Sequence, residues 1–151
     1  MKHGKEFLWV LLPFAIGLSG FSFIPLPILS QIVIVPFWIW VGNRFAGLNM
    51  SKIQSLAFGN SVWGICFLIF IWQYLLESDP HRLKVLEVIS LSYISPFYVM
   101  TRTLPPIGYF SSFEPTPALI VHTLVAYLLM FIIFTLGYIW GKFRRRTASV
   151  G

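Results

Sequence analysis

Charge is what this sequence has least of: no Asp, Glu, Lys or Arg occurs from 7 to 43, from 53 to 76 or from 118 to 141. Charged residues make up 11% of the 151 positions, and only five are acidic. Such a chain has too little charge to cover a surface in water. With 57% hydrophobic and 18% aromatic residues and a mean hydropathy of +0.79, its solvent is lipid. Cysteine is nearly absent too. The single Cys66 excludes an intramolecular disulfide and a paired-cysteine metal site, and its place in an apolar run makes it a small core residue. A nucleophile elbow, a Walker loop, an intramembrane carboxylate pair and a His-Glu-x-x-His helix are all missing, so catalysis, a cofactor and a bound metal are not expected.

The formal charge of +6 does not point to nucleic acid, because four of the eleven basic residues, Lys142, Arg144, Arg145 and Arg146, directly follow an apolar run. Membrane proteins keep a cytoplasmic basic anchor in that position. The opening "MKHGKE" resembles a signal peptide, but the apolar run outlasts the usual length of about 7 to 15 residues and no Ala-x-Ala-like site closes it. It is read as uncleaved.

In hydrocarbon every backbone N–H and C=O needs an internal partner, and these runs lack the alternation of a barrel strand, so they are helices. The expected fold is an all-α membrane protein, a single polytopic domain of five hydrophobic helices at about 7–23, 28–42, 56–76, 83–100 and 118–140, with a basic tail over 142–151. The opening run is too long for one crossing: as a straight helix it would measure roughly 54 Å against a core of about 30 Å. Pro25 and Pro27 disfavour helix at the residues before them, which makes "IPLP" a break between two short helices. Asp79 with Pro80, and Thr116 with Pro117, are cap-then-proline starts, and Pro96 is expected to kink its helix.

The number of complete crossings is four or five. Five crossings with the tail cytoplasmic divide the Lys and Arg residues six inside to five outside; four crossings divide them eight to three, with Arg44, Lys52 and Arg102 outside. The second count is the more orthodox. It is compatible with five helices if one opening piece is re-entrant or interfacial, as Trp38 and Trp40 would suit.

The candidate cavity or helix-contact residues are Asn60, Gln73, Glu87, Ser90, Tyr98 and His122. Glu87 follows Lys84 by three residues and reads first as an interfacial ion pair; Glu87, Ser90, Ser95 and Tyr98 also share a weakly polar face interrupted by Ile94. His122 reads as a helix-packing residue, since His3 and His81 give no metal-ligand spacing with it. Asn60 and Gln73 are amides suited to interhelical hydrogen bonds, and "GYIWG" (137–141) has the small-xxx-small spacing of close helix packing within the chain. The Pro-rich, aromatic stretch 102–117 is expected to lie against the lipid interface.

These features describe a small multipass protein of a bacterial plasma (inner) membrane, with its C-terminus cytoplasmic. Its partners are the lipid bilayer and another membrane protein or a second copy of itself. The expected role is that of a subunit, regulator or protective factor acting through helix contacts; the alternative is a small transporter or transporter subunit moving a solute through a weakly polar cavity.

Overall fold

A computed structural model describes residues 4–18, 27–77, 81, 83–102 and 115–148. These are 93% helical and include no strand. In chain order they form α1 (Gly4–Leu18), α2 (Pro27–Ala46), α3 (Lys52–Gly59), α4 (Ser61–Ile71, continued by a π-helical turn over Trp72–Leu76), α5 (Lys84–Arg102) and α6 (Pro115–Ala148). Pro27 opens α2 and Pro115 opens α6, in a turn where a missing N–H costs nothing. Pro25 and the break expected around it lie outside the described residues. Pro13, Pro36 and Pro96 sit inside α1, α2 and α5, each of which continues as one helix.

The helix expected over 56–76 is two helices, α3 and α4, bent by 56° at Asn60. Its start is set by a capping box: Ser51 Oγ accepts from the Gln54 N–H and Gln54 Oε1 accepts from the Ser51 N–H, both at 3.2 Å. The bend follows from the sequence Gly-Asn-Ser. Asn60 takes φ −105° and ψ 12°, its side-chain Nδ2 donates to the Leu56 carbonyl at 2.9 Å, and Ser61 Oγ donates to the Phe58 carbonyl at 2.8 Å. Side chains that bond their own helix in this way compete with its backbone ladder and bend it.

Helix directions follow from the contacts. Glu6 pairs with Arg44 at 3.0 Å and the Trp9 ring meets Trp40 at 5.2 Å, so α1 and α2 are antiparallel. The most extensive contact is between α2 and α6, which run parallel. The Trp38 indole donates to the Met130 carbonyl at 2.9 Å near its middle, and Arg145 Nη2 donates to the Asn43 carbonyl at 3.0 Å at its end. Backbones touch here, because a Cβ on Gly42 would strike the Phe134 carbonyl and one on Gly137 would strike the Ile39 carbonyl. The expected close packing at Gly137 and Gly141 is therefore made within the chain. Opposite these, α5 is antiparallel to α6: Tyr127 Oη donates to the Ser90 carbonyl at 2.9 Å, and the Tyr98 ring lies 6.0 Å from that of His122.

The starts of α1 and α5 and the ends of α2 and α6 consequently lie at one end of the bundle. The bent unit of α3 and α4 leaves from that end, where Gly47 abuts Arg145, and finishes beside the start of α5, where Leu83 N–H donates to Gln73 Oε1 at 2.8 Å. Helices α1, α2, α5 and α6 thus alternate in direction while the bent unit makes no net traverse. This places Arg44 and Lys52 at the same end as the basic tail, opposite to where the sequence count with four crossings put them.

The core is aromatic. Trp38, Phe45, Phe70, Tyr93, Phe97, Tyr127 and Phe134 are fully buried, with the Trp38 ring 6.3 Å from Phe97 and 5.8 Å from Phe134. Among the described residues one helix, Leu119–Ala148, is by itself long and apolar enough to cross a membrane, with a mean hydropathy of 2.5 over an 18-residue stretch. The bent pair passes the same test if taken together, and Ile32–Ala46 is apolar but shorter.

Candidate functional site

Two clusters gather most of the residues singled out from the sequence. The first lies where α4 meets the start of α5. The π-helical turn directs both Gln73 and Tyr74 inward, and π-turns inside helices recur at functional positions. Gln73, fully buried, accepts from the Leu83 N–H, which satisfies one of the unpaired amides that open α5. Tyr74 Oη donates to Glu87 Oε1 at 2.5 Å. Ser90 Oγ turns back to the Glu87 carbonyl at 3.0 Å, and the Ser90 carbonyl receives the Tyr127 hydroxyl.

Glu87 therefore uses its carboxylate on a tyrosine from the neighbouring helix, and among the described residues it makes no ion pair with Lys84. A half-buried carboxylate needs a donor, and Tyr74 Oη supplies one without adding charge. The chain of bonds links α4, α5 and α6 and fixes how α5 begins.

The second cluster lies further along α5. Tyr98 and His122 meet edge to face, and His122 is 4% exposed. Beside them Leu91, Ile94, Ser95, Tyr98 and Leu119 line a cavity of about 120 Å³. The Ser95 hydroxyl donates to the Ser92 carbonyl of its own helix. The polar face expected along Glu87, Ser90, Ser95 and Tyr98 is thus divided: its first half closes on α4 and α6, and its second half borders a small, mostly apolar void with Ile94 fully buried.

Asn60 belongs to neither cluster. Its amide serves the bend in its own chain segment, where an interhelical bond was expected, and its Oδ1 is buried without a partner among the described residues. Pro27 marks the start of α2. At the basic end Lys142 Nζ lies 5.8 Å from the Tyr138 ring centre, Arg145 binds α2, and Arg144 and Arg146 are exposed. Cys66 is 3% exposed, inside the core.

Sequence reasoning missed four residues that hold this arrangement: Trp38, Trp63, Tyr74 and Tyr127. Trp38 was read as suited to the membrane interface, yet it is 0% exposed, and Tyr74 is 6% exposed. Trp63 donates its indole N–H to the Tyr127 carbonyl at 2.9 Å. The signal was the chemistry of these side chains, since a buried indole or phenol seeks an acceptor. Hydropathy alone treats all four as generic apolar bulk. Among the described residues no three of His, Cys, Asp and Glu converge on a common point.

No known protein family, curated protein or solved structure matches the chain.

Proposed function

We propose that the chain is an integral protein of the plasma membrane. Helices α1, α2, α5 and α6 cross the bilayer, α3 and α4 form a re-entrant unit, and both termini are cytoplasmic. It acts without catalysis, as a subunit, regulator or protective factor that engages a membrane partner through its outer helix faces. What carries this reading is the division of labour among side chains. The polar groups of Gln73, Tyr74, Glu87, Ser90, Trp38 and Trp63 are turned to bonds inside the bundle, while Ile32, Val33, Ile65, Leu68, Leu128 and Leu136 project outward, each at least 56% exposed. Water would not tolerate that surface; lipid and another apolar helix would.

Charge supports the orientation. Counted by the helix each precedes or follows, every Lys and Arg but Arg102 falls on the side of the tail, ten of eleven. A cytoplasmic excess of this size is what orients multipass proteins.

Photo-crosslinking tests the mode of action. With a benzoylphenylalanine at Ile65, Leu68, Leu128 or Leu136 in living cells, one outer face should yield a discrete protein adduct at positions that share a wheel sector. Lipid adducts alone at all positions would overturn the partner reading.

A further inference from the structure

We infer that the cleft between α2 and the end of α6 is a binding site for one anionic phospholipid, with its phosphate held by Arg144 and Arg145 and an acyl chain lying along Leu136 and Trp140. This inference rests on the membrane placement proposed above. Two adjoining features carry it. One is an open groove of about 460 Å³ lined by Ile39, Leu136, Ile139, Trp140 and Phe143. The other, one turn further on, is a recess of about 250 Å³ lined by Asn43, Gly141, Arg144, Arg145 and Ala148. Leu136, Trp140 and Arg144 stand at i, i+4 and i+8 on α6, one continuous row from the apolar feature to the basic one.

Among the described residues nothing neutralises the charge of the recess. Arg145 is held by uncharged acceptors, the Asn43 carbonyl at 3.0 Å, Asn43 Oδ1 at 3.4 Å and the Gly141 carbonyl at 3.4 Å. These bonds orient the guanidinium and leave its positive charge in place. Among the described residues no carboxylate pairs with Arg144 or Arg145, and the one acidic side chain at this end of α1 and α2, Glu6, is taken up by Arg44. Gly141 lets α6 approach α2 closely at the floor of the recess, since a Cβ there would lie 2.5 Å from Asn43 Oδ1 and 2.8 Å from the Ala46 Cβ. An oriented guanidinium matches a phosphate diester in both charge and geometry. An exposed tryptophan between an apolar groove and basic residues sits at the depth where headgroup and acyl chain join. Basic recesses between helices on the cytoplasmic side hold anionic headgroups in this manner.

The test is native mass spectrometry of the full chain purified in mild detergent, with dioleoylphosphatidylglycerol or dioleoylphosphatidylethanolamine added at equal ratios. Wild type should retain one phosphatidylglycerol in preference to phosphatidylethanolamine, and Arg144→Gln should lower that retention about fivefold, the effect of one cation at an anionic surface. Arg144→Gln/Arg145→Gln should abolish the preference. Leu136→Trp, which fills the groove and breaks no internal bond, should lower retention with the arginines intact. Equal retention of the two lipids by wild type, or unchanged retention of phosphatidylglycerol in Arg144→Gln and Leu136→Trp, would overturn the site. Carbonate extraction of wild-type membranes separates the two claims: a chain that is extracted refutes the membrane placement, and one that stays but shows no lipid preference refutes only this site.

Discussion

Adding one methyl group at either of two glycines should move stability in opposite directions. At Gly137 a Cβ would fall on the Ile39 carbonyl, with the Ile39 carbonyl carbon and Cα both 2.8 Å away. These are backbone atoms, so no rotamer change can relieve the contact and α2 must move off α6. Overpacking of a close interface costs about 1–3 kcal/mol. The gain from replacing a mid-helix glycine by alanine, about 0.5–1 kcal/mol, offsets part of it. Gly137→Ala should therefore destabilise by roughly 0.5–2 kcal/mol. Gly64, inside α4, has nothing within 4 Å of its built Cβ. Gly64→Ala should keep the whole helix-propensity gain and stabilise by about 0.5–1 kcal/mol. Both variants can be read by far-ultraviolet circular dichroism during unfolding in mixed dodecyl maltoside and sodium dodecyl sulfate. Gly137→Ala as stable as wild type, or more so, would mean that α2 and α6 do not meet backbone to backbone.

Tyr74→Phe removes the donor to a half-buried Glu87 and should cost about 1–2 kcal/mol in the same unfolding assay. In a Glu87→Gln background, where no charge is left to satisfy, the loss should shrink, as a double-mutant cycle would show. Asn60→Leu should be near neutral or stabilising, because the amide it removes makes only a local bond and buries an unpartnered oxygen. A loss above about 3 kcal/mol would show that the bend at Asn60 is needed for the bundle to close.

The helical character of the chain and the approximate place of each helix were legible in the sequence, because apolar runs of membrane length can satisfy their backbones in few ways. Close packing at Gly137 and Gly141 was legible from spacing. The bend at Asn60 was not, since Gly-Asn-Ser interrupts neither hydropathy nor charge, and its cause lies in side chains bonding back to Leu56 and Phe58. Helix direction was not legible either, because hydropathy has no sign along the chain. Treating 56–76 as a full crossing set Arg44 and Lys52 against the tail, and the contacts of Arg44 with Glu6 and of Gly47 with Arg145 bring them to it. Of the candidate residues, Gln73, Glu87 and Ser90 converge, as do Tyr98 and His122. What joins the first group is Tyr74 and Tyr127, neither of which was among the candidate residues.

The central claim is that the bent unit makes no net crossing, and cysteine accessibility tests it most directly. In a Cys66→Ser background, single cysteines at Asn49, His81 and Ser111 would be probed with a membrane-impermeant maleimide in intact cells and again after lysis. Asn49→Cys and His81→Cys should be protected until lysis, like a cysteine placed in the basic tail, while Ser111→Cys, between α5 and α6, should react in intact cells. Labelling of Asn49→Cys and His81→Cys on opposite sides of the membrane would contradict the four crossings proposed for this fold.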